Sequence, residues 1–335
     1  MIIEKKTYAR AGLIGNPSDG YFGKTISFSI RNFRAKVLLY ESPQLEIKLH
    51  KNDQLQFNSL TDVVNDIKFS GYYGGIRLIK ATIKVFYEYC LKENIKLENK
   101  NFTISYDSNI PLRVGMAGSS AIVTSTMKAL LEFYSVDIPK PELANLILKV
   151  EKDELKIGAG LQDRVIQVYE GMVYMDFNRD QMDEYGYGIY EELTPKVLPN
   201  LYVAYSESLS EGTEVTHNNI RDRYNNGDPE VCNAMLEFAK LTEEFKVALL
   251  KNDVASMHFL INRNFDLRAS ICQISKGNWD LINCARNLRA SAKFCGSGGA
   301  IVGLYQDEKN FKALEKAFKK LNASIIKPLI FPENA

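Results

Sequence analysis

A chain of 335 residues that is 45% apolar and 25% charged can bury a sizeable core and has the length for two lobes of roughly 150 residues each. Its formal net charge of +1 offers no attracting field to nucleic acid or to an anionic membrane. Five scattered cysteines with no C-x-x-C pair argue against a zinc site or a disulfide framework, and no apolar run approaches the roughly 18 residues of a membrane span, so the sequence reads as soluble and cytoplasmic.

Taken in chain order, AGLIG, TISFSI, KVLLY, LEIKL and NFTISY suit short strands. Between the last two, residues 76–91 carry a helical stripe at Ile79, Ile83, Phe86 and Cys90. A second helix is expected over 119–134. A third, PELANLILKVEKDELK, has Leu143, Leu146, Ile147 and Val150 on one face and Pro141 in its first turn. Strands follow at VYMDF and LYVAYS, then helices over about 229–251, 254–274 and 279–290. A glycine-rich stretch, the strand AIVGLY and a helix near 308–321 complete the chain. The class is α+β, with a compositional shift near 190–200 that divides it into lobes of 1–190 and 191–335.

Four stretches can carry chemistry. GNPSDGYFGKT, residues 15–25, ends like a phosphate-binding Walker loop, but the required first glycine is replaced by Ser18, and a strand follows where that loop opens a helix. PLRVGMAGSSAIVTS, residues 111–125, sets Gly115 and Gly118 before Ser119 and Ser120, which stand where an N-cap and first helical turn belong. Such a terminus suits an anion, and equally suits a capped helix after a glycine turn. In EKDELKIGAGLQDRV, residues 151–165, Glu151 lies one turn beyond Ile147 and Asp163 follows a Gly-x-Gly bend; two acids so placed can converge, or can be solvated surface. KFCGSGGAIVGLY, residues 293–305, places Gly296, Gly298 and Gly299 before a buried-looking strand, a pattern for close backbone approach to a ligand or for a plain bend. His50, His217 and His258 have no metal-pair spacing.

The order of these motifs resembles the GHMP small-molecule kinases, over about residues 9–305. Within that family, NPSDGYFGKT, SGYYGGIRL, AGSSAIV and AGLQDRV-QVYEGMVYMDF are similar to the glucuronokinases. The resemblance implies a two-lobed kinase fold, with a ribosomal protein S5 domain 2-like N-terminal lobe and a ferredoxin-like C-terminal lobe. It implies phosphoryl transfer from ATP with Mg²⁺ to a small-molecule sugar or sugar acid. The phosphate loop would be Gly115, Ala117, Gly118, Ser119 and Ser120, and Ser120 with Glu151 would hold the metal. Asp163 would face the anomeric hydroxyl, and Arg10 would lie close to the reacting oxygen. Gly15, Asp19, Gly23 and Gly298 would meet the sugar. Arg164 and Arg113 are candidates to read a carboxylate or are solvated surface, and Tyr72 and Tyr73 can stack on adenine or fill core. Lys24 reads as an exposed lysine at a strand start. A neutral aldose as acceptor, or a sensor of the same fold without catalysis, are the alternatives, and the chain is expected as a monomer or homodimer.

Overall fold

The computed structural model describes residues 1–50, 59, 74–207 and 214–332. Two compact units interleave along the chain. Residues 1–9, 33–112 and 117–168 form the first, and 10–32, 113–116 and 169–335 form the second, so two stretches from the N-terminal half group with the C-terminal half.

The opening strands are longer and fewer than the sequence suggests. β1 spans Ile2–Ile14, and β2 spans Lys24–Ser42, fusing TISFSI and KVLLY into one strand. No glycine or proline interrupts the joining RNFRA, so nothing breaks the ladder there. LEIKL contracts to the two-residue β3, Glu46–Ile47. In the first unit the second half of β2 runs antiparallel to β4 (Asn101–Ser108), with Ala35 opposite Ser108 and Ser42 opposite Asn101, and β3 runs parallel to β4.

Among the described residues the first unit also has four helices: α1 (Gly75–Lys92), α2 (Gly118–Phe133), α3 (Lys140–Lys149) and most of α4 (Leu161–Tyr169). Every residue of α2 from Ser120 to Met127 is buried, as expected of a helix with little polar surface. Phe86, Phe102 and Phe133 anchor this core, the last two meeting edge to face at 5.4 Å.

In the second unit the first half of β2 pairs antiparallel with β5 (Met172–Asp176), and β5 with β6 (Ile189–Glu192). α5 (Arg179–Tyr185) lies between β5 and β6 in sequence. β7 (Leu201–Ser206), β8 (Lys293–Phe294), β9 (Ala300–Leu304) and β10 (Ala323–Ile326) form a second antiparallel sheet in the order β10-β7-β9-β8. That is the fourth-first-third-second order of a ferredoxin-like sheet.

The remaining described helices are α6 (Glu214–Asn225), α7 (Pro229–Lys251), α8 (Val254–Ile271), α9 (Lys276–Asn287) and α10 (Glu308–Lys320). Of these, α6 has no counterpart in the periodicity reading. Asp228 caps α7 by accepting from the Glu230 and Val231 amides, with Pro229 at the first helical position. Tyr202, Phe265, Ile282, Phe294, Leu314 and Phe318 form the core against the second sheet. No described helix is long and apolar enough to cross a membrane.

Candidate active site

Helix α2 opens at Gly118, with Ala117 as its N-cap in the left-handed region (φ 60°, ψ 40°) and no side chain capping it. Ser119 and Ser120 are therefore both first-turn residues, and neither is the cap. The amides of Gly118, Ser119 and Ser120 lack a carbonyl one turn back, so this end of the helix carries the partial positive charge that favours an anion. Ser119 is exposed and Ser120 buried. The Ala117 carbonyl is held from α4, where Gln167 Nε2 donates to it at 2.9 Å and to Tyr8 O at 3.3 Å.

Glu151 owes its position to a change of helix type. α3 ends at Lys149, and a π-helical turn, Val150–Glu154, replaces the continuous α-helix that periodicity predicts. On that turn Glu151 is 1% exposed, and Ser120 Oγ donates to its Oε1 at 3.1 Å. The opposite oxygen belongs to Arg164 on α4: Nε donates to Oε2 at 2.7 Å, and Nη2 donates to the same atom. Nη1 donates to the Gly160 carbonyl at 2.9 Å and stands 3.4 Å from Asp163 Oδ2. Arg164 is thus 3% exposed and bonded within its own unit, where the sequence reading has it facing an acceptor's carboxylate. Asp163, in the first turn of α4, stays half-buried.

In the second unit, GNPSDGYFGKT closes on itself between β1 and β2. Ser18 Oγ accepts from the Lys24 amide at 3.2 Å and donates to the Lys24 carbonyl at 3.1 Å, around a short 3₁₀ turn at Ser18–Gly20. Gly15 has φ 89°, and a Cβ there would overlap both the Lys24 carbonyl oxygen and Thr242 Oγ1; at Gly23 a Cβ would overlap Ser18. Both glycines are required by contacts inside the protein, a need independent of any sugar. Asn264 of α8 accepts from the Gly15 amide at 2.7 Å. Lys293 donates to Asn16 Oδ1, to Gly12 O at 2.6 Å and to Phe294 O at 2.8 Å. Asp19 remains half-buried beside this scaffold. Lys24 is not a free surface lysine, because Glu243 and Asp176 (3.1 Å) both pair with it.

Arg10 Nη1 donates to the carbonyls of Gly115 and Cys295, each at 2.8 Å. Gly296 makes room for it, since a Cβ there would lie 2.8 Å from Nη1. Arg268, four residues after Asn264 on α8, donates to the carbonyls of Gly296 (2.6 Å) and Ser297 (3.4 Å). Gly298 (φ 143°) lies against the Asn278 amide, and its carbonyl faces Gly115. Tyr72 and Tyr73 lie outside the described residues. Among the described residues no group of three or more His, Cys, Asp or Glu is placed to hold a metal by itself.

Residues 77–171, which span Ser120, Glu151 and Asp163, match the family described as GHMP kinases N terminal domain. Probable glucuronokinase 2 of Arabidopsis thaliana is 46% identical over 98% of this chain and 91% of its own length. The chain belongs to the GHMP kinases. Glucuronokinase 1 of the same plant is 45% identical, over 90% of this GHMP kinase and 84% of the relative. Lactococcus lactis galactokinase complexed with galactose shares the fold, with a TM-score of 0.76 at 15% identity over 98% of this chain and 93% of that one.

Four residues of this GHMP kinase escape the motif reading: Gln167, Asn264, Arg268 and Lys293. Three of them carry a sequence signal. Gln167 stands four residues after Asp163, on the same face of α4. Asn264 and Arg268 continue the stripe Met257, Leu260, Ile261, so polar side chains occupy a face that points inward; they are 1% and 3% exposed.

Proposed function

We propose that this GHMP kinase transfers the γ-phosphoryl group of ATP to the anomeric hydroxyl of a free sugar acid, D-glucuronate, giving glucuronate 1-phosphate and ADP. The observation that carries the reading is the 3.1 Å contact of the Ser120 hydroxyl with the buried Glu151 carboxylate at an uncapped helix start. The names of the two plant relatives support glucuronate as the acceptor.

Hydroxyl and carboxylate oxygens are the hard donors that Mg²⁺ prefers, and the pair leaves room in the coordination shell for water and phosphate oxygens. Ser120 Oγ and Glu151 Oε1 would hold the ion, with Arg164 fixing the other carboxylate oxygen. When bound, Mg²⁺ neutralises charge on the phosphates. The amides of Gly118, Ser119 and Ser120 receive phosphate oxygens at the positive end of α2, and Gly115 and Ala117 shape the loop before it. Arg10 fixes the Gly115 carbonyl and adds positive charge for the transferring group.

Asp163 accepts the proton of the anomeric hydroxyl as that oxygen bonds to phosphorus, and the bond from phosphorus to the ADP oxygen breaks. Asp19 accepts hydrogen bonds from other sugar hydroxyls, while Gly15, Gly23 and Gly298 supply backbone close to it. The reading extends to lobes of 1–190 and 191–335, a cytoplasmic location in keeping with five free cysteines, and a monomer or homodimer.

The test is Asp163→Ala. A general base of this kind is worth about 10²- to 10⁴-fold, so ATP-dependent phosphorylation of glucuronate falls by at least roughly 100-fold. Unchanged turnover removes Asp163 from the reaction.

A further inference from the structure

If the acceptor is a sugar acid, one question is left by the geometry: which cation reads its carboxylate. Arg164 is bonded to Glu151, Arg223 to Asp228 and Glu230, Arg286 to Asp266, and Arg31 to Glu170. Arg268 is buried on backbone carbonyls. Arg221, on α6, lies beside the loop that carries Asp19, next to Gly20 and Tyr21. It is exposed, and among the described residues it has no carboxylate partner.

Its position is fixed by packing. Tyr21, the residue two after Asp19, is 7% exposed in a cluster with Ile220, Val231, Met235, Phe238 and Ile271. Tyr224 of α6 meets the Tyr21 ring at 4.8 Å between centroids. With Ile220 and Tyr224 both seated on this cluster, Arg221 is carried over the loop. Its guanidinium carbon lies 5.6 Å from the Tyr21 ring centroid, and its Nη2 would be 3.3 Å from a Cβ at Gly20. Burial pushes the Tyr21 phenol up to about 12, with Arg221 pulling it down and Asp19 pushing it up, so both charges act on the same hydroxyl.

We infer that Arg221 reads the carboxylate of an acidic acceptor whose hydroxyls are held by Asp19. The inference deepens the sugar-acid reading of the same loop and rests on it. Arg221 Nη2 stands beside Gly20, the residue after Asp19, so the two charges border the same short turn. An exposed guanidinium can present two parallel N–H groups to a carboxylate, which a neutral aldose does not offer. Arg179 provides an internal comparison. It too lies beside the loop, but its guanidinium carbon is only 4.0 Å from the Phe22 ring centroid, seated on that aromatic face.

The experiment compares steady-state kinetics of the wild type, Arg221→Gln, Arg221→Lys and Arg179→Gln with Mg-ATP against D-glucuronate and D-glucose. Losing a charge-assisted pair raises the KM for glucuronate roughly 10- to 100-fold in Arg221→Gln. The preference for glucuronate over glucose narrows, Arg221→Lys recovers part of the loss, and Arg179→Gln keeps the wild-type KM. Arg221 is exposed, so an unchanged melting temperature is expected and separates binding from folding. A wild-type KM for glucuronate in Arg221→Gln, or a raised one in Arg179→Gln alone, overturns the inference while leaving the sugar-acid kinase intact. No glucuronate turnover by the wild type overturns the kinase reading itself, and the inference with it.

Discussion

Arg164 and Glu151, thirteen residues apart, form a buried pair in which two nitrogens of one guanidinium meet a single carboxylate oxygen, leaving the other oxygen to Ser120. Side-chain exposure is 4% for Arg164 and 1% for Glu151. Solvent screening is therefore slight, and removal of one partner leaves a buried charge without compensation.

Arg164→Met should lower unfolding free energy by about 3–5 kcal/mol, measured by urea denaturation. Adding Glu151→Gln to the Arg164→Met chain removes the orphaned charge and should recover part of that loss, whereas additive losses would show that the two side chains are not coupled. Glu151→Gln alone should raise the Mg²⁺ concentration needed for half-maximal rate. An unaltered Mg²⁺ titration takes Glu151 out of the metal site.

The loop between β1 and β2 is held by steric fit as well as hydrogen bonds. Gly15→Ala places a methyl group on the Lys24 carbonyl at a positive φ, with the Thr242 hydroxyl also in the way. A loss of at least about 2 kcal/mol is expected in thermal or denaturant unfolding. Wild-type stability would mean that the loop closes differently from the geometry described.

The Lys24–Glu243 pair gives a pH signature with a definite sign. The hydrogen bond from Lys24 holds the Glu243 carboxyl below its ordinary 4.5, against the opposing effect of burial. A carboxyl lowered in the folded state contributes stability that is present above its unfolded pKa and lost as pH falls through the folded value. Glu243→Gln should therefore flatten the dependence of stability on pH below about 4.5. The change is small, because the Glu243 side chain is 48% exposed and solvent screens it. An acid limb identical to that of the wild type would show that the ion pair adds nothing to folding.

Much of this was legible in the sequence, for physical reasons. The stripes in residues 76–91, 229–251 and 308–321 repeat at helical spacing over several turns, and the helices α1, α7 and α10 fall within one residue of them. Short-range rules failed where tertiary contacts decide. Nothing local tells that α3 gives way to a π turn at Val150, yet that turn sets Glu151 against Ser120. Charge type alone could not reveal that Arg164 faces Glu151, since its partner sits on the π turn thirteen residues earlier and is met only in the folded chain. Lys293, 1% exposed, had no signal at all: two of its three acceptors, Gly12 and Asn16, lie more than 270 residues earlier in the chain.

Phosphoryl transfer to a sugar acid stands or falls on an ADP-release assay with Mg-ATP. The panel is glucuronate, galacturonate, glucose, galactose, arabinose and mevalonate. Turnover is expected with glucuronate and not with glucose, with the product phosphorylated at the anomeric oxygen. Turnover confined to neutral sugars or to mevalonate would contradict the acceptor, and ATP binding without turnover on any of them would contradict catalysis.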